Sequence, residues 1–138
     1  MNIKRAIRIA LLVYIASFVL SIVYALIAGV DMTSTTDVPM NLYIAGAVIS
    51  LALSIGATWW YFKPKTEKPS VKIGLYFGLI VIAVGFILDS AMIIPYYFSN
   101  PSPESNTFVY YADPWFWLTV ALVIAGCAAT GHILENKK

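Results

Sequence analysis

The chain predicts an all-α polytopic membrane protein, an antiparallel four-transmembrane-helix bundle, on three observations. Residues 9–30, 40–62, 73–98 and 114–134 are apolar runs, each about as long as the roughly 20 residues a helix needs to cross a bilayer. Of the 138 residues 60% are hydrophobic and 12% charged, which leaves too few polar groups to coat a soluble core. All nine bases fall in three short segments: Lys4, Arg5 and Arg8 before the first run, Lys63, Lys65, Lys68 and Lys72 between the second and third, and Lys137 and Lys138 after the fourth. The other two connections carry acids alone, Asp31 and Asp37 in one, Glu104 and Asp113 in the other. Orientation follows Lys/Arg bias in short loops, so the expected topology is a multi-pass plasma (inner) membrane protein with both termini and the middle connection cytoplasmic.

The runs have to be helices, because open strands leave backbone groups unpaired in hydrocarbon and no alternating barrel pattern is present. The whole of 1–138 then reads as a single transmembrane domain. Lys4, Arg5 and Arg8 ahead of an apolar stretch resemble the start of a secretion signal. That stretch exceeds the roughly 7 to 15 residues of a signal core, so it is expected to stay as the first span.

Helices associate in lipid through close packing of small residues and polar contacts, since apolar side chains gain little by leaving lipid for protein. Each helix carries such a stripe at spacings of three and four. The first has Ala10, Tyr14, Ser17, Ser21, Tyr24 and Ala28. The second, opened by Pro39 and closed by the interfacial pair Trp59 and Trp60, has Tyr43, Gly46, Ser50, Ser54, Ala57 and Tyr61. The third has Gly74, Gly78, Ile82, Gly85, Asp89, Met92 and Tyr96, with Pro95 expected to kink or end it. The longest loop, Asn100 to Asn106, is expected outside; Pro101 and Phe108 spoil its two glycosylation sequons. The fourth opens on Asp113 and Pro114, an N-cap with a first-turn proline. Trp115 and Trp117 mark its outer interface, and Ala121, Ala125, Ala128 and His132 form its stripe. Cys127, the lone cysteine, sits among Gly126, Ala128 and Ala129 and reads as a small packing residue.

A faint repeat lets Phe18, Val19, Leu20 and Ser21 fall on Phe86, Ile87, Leu88 and Asp89. Two equivalent hairpins would then be related by a pseudo-twofold axis along the membrane normal.

Asp89 is the one ionisable side chain deep in an apolar run. Facing lipid, it would cost about 2.5 to 3.5 kcal/mol, so it belongs on the glycine face. Helical rise puts it roughly 25 Å above Lys72, in the outer part of the bundle. The polar groups at that level are Ser21, Tyr24, Asn41, Tyr43 and Thr119, with Tyr96 further along the same face. With no base among them, Asp89 is expected to be partly or wholly neutral and to donate a hydrogen bond to one of these groups. Asp89 reads either as interhelical glue, which needs only that hydrogen bond, or as a proton or cation site; in the second reading Asp89, Ser21, Tyr24, Tyr43, Tyr96 and Thr119 are the candidate ligand or proton site.

Other chemistries lack their residues. His132 lies about 20 Å in height from Asp89, which precludes a catalytic pair and suits a headgroup-facing or capping role. One His, one Cys and scattered acids make no metal cluster, and no cofactor, phosphate-loop or nucleophile motif is present. The net charge of +2 is spread over membrane flanks, which points to anionic headgroups on the cytoplasmic face and away from nucleic acid. Tyr96, Tyr97, Phe98, Phe108, Tyr110, Tyr111, Trp115, Phe116 and Trp117 crowd the outer end. They read as an interfacial belt, or as an aromatic-walled pocket for a small organic cation with the Pro-containing loop as its lid.

The run from Gly78 through Asp89 to Pro95, followed by a capped helix of small residues ending in His132 and Glu135, resembles small, functionally uncharacterised four-helix prokaryotic membrane proteins. The resemblance covers helices three and four and implies no activity. The first helix lacks the membrane glutamate of small multidrug transporters, and the paired cysteines of quinone-linked disulfide enzymes are missing. The expected function is a non-enzymatic binding or accessory component, with a homodimer or another membrane protein as partner. The alternative is a small cation- or proton-linked transporter, dimeric, with Asp89 as its intramembrane site.

Overall fold

The computed structural model of the protein describes residues 1–29, 40–64, 67–99 and 109–137. It is all-helical: α1 is Ile3–Ile27, α2 Met40–Phe62, α3 Val71–Ser99, α4 the single turn Val109–Ala112, and α5 Pro114–Asn136. The four long helices are each long and apolar enough to cross a membrane. The expected number of membrane-length helices thus stands, with α1 and α3 starting earlier than the apolar runs and the membrane-length stretch of α3 ending at Met92.

Helix ends follow local chemistry. Asn2 Oδ1 accepts from the Arg5 N–H at 3.1 Å and caps α1. Ser70 Oγ accepts from the Ile73 N–H at 3.2 Å and caps α3. Asp113 Oδ1 accepts from the Trp115 N–H at 2.9 Å ahead of Pro114, as the sequence predicts for the fourth long helix. Pro95 does not end α3, which runs on to Ser99; Ser99 Oγ donates to the Pro95 carbonyl at 2.9 Å. Pro39, the acids Asp31, Asp37 and Glu104, and the Asn100 to Asn106 loop lie outside the described residues.

The helices form a ring in which α1 neighbours α2 and α3, while α5 neighbours α2 and α3. The sequence-consecutive helices α2 and α3 therefore sit across a diagonal and touch little. A twofold axis through the bundle centre relating the two hairpins would put α1 and α3 on opposite corners. They are side by side, so the arrangement lacks the pseudo-symmetry that the faint repeat implied.

All three basic segments gather at one end. The Arg5 guanidinium donates to the Trp60 carbonyl at 3.0 Å. The Asn2 N–H donates to Tyr61 Oη at 2.9 Å, and that hydroxyl donates to Glu67 Oε2 at 2.9 Å. The Met1 amino group lies 3.4 Å from the same carboxylate oxygen.

Packing is dense in this basic half. Ala6, Ile9, Val13, Ala57, Tyr61, Phe62, Phe77, Val123 and Cys127 form its core. Close approach of α3 and α5 depends on glycine. A Cβ on Gly74 would collide with the Cys127 carbonyl, one on Gly131 with the Ser70 carbonyl, and one on Gly78 would lie 3.1 Å from Ile124 Cα. The α5 packing face is consequently Val123, Cys127 and Gly131. This corrects the expected stripe: Ala121, Ala125 and His132 are exposed, because the α5 register is set where its backbone meets the α3 glycines. Cys127 takes the buried packing role expected of it.

Candidate functional site

The half of the bundle away from the bases is hollow. Gly46 and Gly85 would have nothing within 4 Å of an added Cβ. Small residues there line space instead of drawing two backbones together, which corrects the expectation that Gly85 packs like Gly74 and Gly78. The space is a cavity of about 330 Å³ walled by all four long helices. Its polar surface is Asp89 with the hydroxyls of Tyr14, Ser17, Ser21, Ser50, Ser54 and Thr119. Its apolar surface includes the rings of Phe18, Phe86 and Phe116.

Asp89 is half-buried on α3, and its Oδ1 accepts a hydrogen bond from Tyr14 Oη at 2.7 Å. Its partner comes from α1 at Tyr14, not from Ser21 or Tyr24. Counting helical rise locates backbones, whereas the phenol oxygen stands a full side chain away from its own Cα. Tyr14 Oη also lies 3.7 Å from Met92 Sδ, and the Tyr14 ring stacks on Phe18 at 6.4 Å. These contacts hold the phenol against the mouth of the carboxyl. Among the described residues no other group donates to Asp89 and no base lines the cavity.

Of the remaining predicted residues, Ser21 and Thr119 line the same cavity. Tyr43 lines a second cavity of about 270 Å³ that adjoins it, sharing Phe18, Ser21, Ser50 and Thr119 and reaching Leu42 at the end of α2 away from the bases. Tyr24 lines neither cavity, and the side chain of Tyr96 lies outside the described set. His132 is exposed beside Asn136, its Nε2 3.1 Å from the amide nitrogen.

Sequence reasoning missed Tyr14, Ser17, Ser50 and Ser54 as cavity residues, although it placed all of them on interior stripes. Ser54 is the most informative of these. It is 1% exposed, its Oγ has no hydrogen-bond partner among the described residues, and it lines the cavity floor. Its carbonyl is used, accepting from Thr58 Oγ1 at 2.7 Å and from Cys127 Sγ at 3.8 Å. A buried hydroxyl left unpaired is disfavoured by roughly 1 to 3 kcal/mol, so it marks a place where a bound group would be welcome.

The outer aromatic residues divide in two. Phe86, Tyr111, Phe116 and Trp117 stack into one cluster, with Phe86 5.4 Å from Tyr111 and 5.6 Å from Phe116. Phe86 and Phe116 are thereby held as cavity wall, whereas Trp115 and Trp117 are exposed. The proposed lid loop lies outside the described residues. Among those residues no three His, Cys, Asp or Glu side chains gather in a metal-binding group. No protein-family model, curated protein or solved structure matches the chain.

Proposed function

We propose that this chain is a non-enzymatic binding component of the plasma membrane, with both termini cytoplasmic, whose outer cavity takes a small organic cation at Asp89. The observation that carries this reading is an intramembrane carboxylate on a cavity wall, unbalanced by any base among the cavity-lining residues. A cation leaving water must recover its solvation. Asp89 supplies charge, Ser17, Ser21, Ser50 and Thr119 supply lone pairs, and the faces of Phe18, Phe86 and Phe116 supply cation–π attraction. Tyr14 ties down Oδ1, which orients the carboxylate and leaves Oδ2 for the ligand. A volume of about 330 Å³ suits a small ligand.

The test is binding of tetraethylammonium and smaller quaternary ammonium ions to the purified protein in neutral detergent, followed by NMR or calorimetry. Asp89→Asn should weaken binding at least tenfold, on the order of 1.4 kcal/mol, and keep the unfolding midpoint. Equal binding by the Asn variant, or none by the wild type, sinks the reading.

The adjoining second cavity favours a second reading, a cation-linked transporter working as a dimer, because it continues the site toward the outer end. The basic half is closed by Phe77, Thr58 and Cys127, each fully buried. Passage would require that half to open, which is why binding is the preferred reading. Accumulation of the probe in vesicles by the wild type and not by Asp89→Asn would favour transport.

A further inference from the structure

The basic end holds a second recess, about 590 Å³, between the ends of α2 and α5 and the connection to α3. Three lysines line it: Lys63 and Lys68 from the connection between α2 and α3, and Lys137 from the end of α5. Their only acidic neighbour in the lining is Glu67. The Oε2 of that carboxylate already accepts from the Tyr61 hydroxyl at 2.9 Å and lies 3.4 Å from the Met1 amino group. Among the described residues none of the three lysines has a carboxylate partner. Lys63 Nζ stands over the Trp59 ring at 5.6 Å, so its ammonium is held at the rim of the recess. The rest of the wall is apolar: Trp59, Phe62, Pro69 and Leu134.

A solvated lysine cluster would have no need of such a wall. The combination lies where the membrane-crossing helices α2 and α5 end, and Trp59, half-exposed, has the position of a ring at headgroup depth. Ammonium groups above an apolar wall at that depth complement one class of molecule: a lipid with an anionic phosphodiester and acyl chains continuing along the helices. We infer that this recess is a binding site for an anionic phospholipid, its phosphate held by Lys63, Lys68 and Lys137 and its glycerol and upper chains packed on Trp59, Phe62 and Leu134. The site is independent of the cavity at Asp89, and the bases that define the topology also give the protein a fixed lipid at its cytoplasmic rim.

The test uses delipidated full-length protein in neutral detergent, where no charged surface attracts lipid non-specifically. Phosphatidylglycerol is titrated and bound lipid counted by native mass spectrometry, with phosphatidylcholine as the zwitterionic control. One phosphatidylglycerol should bind in preference to phosphatidylcholine. A variant carrying Lys63→Gln, Lys68→Gln and Lys137→Gln should bind it roughly a hundredfold more weakly, from about fivefold for each lysine near an anionic group. A matched variant with Lys4→Gln, Arg8→Gln and Lys72→Gln, which alters none of the lining, should bind it like the wild type. Equal loss in the two variants, retention in the first, or no preference over phosphatidylcholine would each overturn the assignment. Inorganic phosphate should compete poorly, since it cannot use the apolar wall; full displacement by phosphate would show an anion site and not a lipid site.

Discussion

Gly78→Ala and Gly85→Ala add the same methyl group to the same helix, two turns apart, and should change stability in opposite directions. At Gly78 the new Cβ would lie 3.1 Å from Ile124 Cα and 3.2 Å from Cys127 Cβ. Neither atom is the end of a flexible side chain, so α3 and α5 have to move apart. Overpacking of this kind costs typically 1 to 3 kcal/mol, while replacing a mid-helix glycine by alanine returns roughly 0.5 to 1 kcal/mol of backbone entropy. The net expectation is a loss of up to about 2.5 kcal/mol for Gly78→Ala. At Gly85 nothing lies within 4 Å, so only the entropy gain operates and the variant should be more stable by about 0.5 to 1 kcal/mol. Reversible unfolding in mixed micelles of dodecyl sulfate and a mild detergent, read by circular dichroism, reports both. The expected gap is the overpacking cost alone, about 1 to 3 kcal/mol or roughly fivefold to more than a hundredfold in the folding constant. Equal stability of the two variants, or a less stable Gly85→Ala, would refute the division into a packed basic half and a hollow opposite half.

Other outcomes follow from the same geometry. Gly74→Ala and Gly131→Ala should lose more than Gly78→Ala, because each new Cβ meets a backbone carbonyl; stability like the wild type in either would contradict the α3–α5 register. Tyr14→Phe removes a 2.7 Å hydrogen bond and should cost about 0.6 kcal/mol, a typical interhelical bond in a membrane. A double-mutant cycle with Asp89→Leu would show no coupling if the bond were idle. Ser54→Ala removes a buried hydroxyl without a partner among the described residues and should leave the ligand-free protein as stable or more stable by about 1 kcal/mol; a clear loss would mean that Ser54 already has a partner. Single cysteines at Ser34 and Ser102 should react with an impermeant reagent outside intact cells, whereas one at Ser70 should not. Labelling at Ser70 would reverse the proposed orientation.

Class, span number and the ends of most helices were legible in the chain because each is a one-dimensional property. Twenty consecutive apolar residues, a cap such as Asp113 ahead of Pro114, and bases confined to alternate connections need no partner to be read. Which small residues pack was legible only in part. Gly74 and Gly78 were found, but Gly85 shares their face and their type, and only the distance to a neighbouring helix separates a packing glycine from a cavity glycine. On α5 the alanine face looked as suitable as the one that carries Cys127 and Gly131, and the rotation of the helix was decided by which face met α3. Asp89 stood out in the sequence as a lone acid in an apolar run, yet its partner did not. Tyr14 and Asp89 lie on α1 and α3, and nothing along the chain says that these two are neighbours while the consecutive α2 and α3 are not. Ring order in a bundle is set by how four faces pack at once. That collective property brings Tyr14 to Asp89, opens the cavity beside them, and sets Lys137 beside Lys63 and Lys68 around one recess.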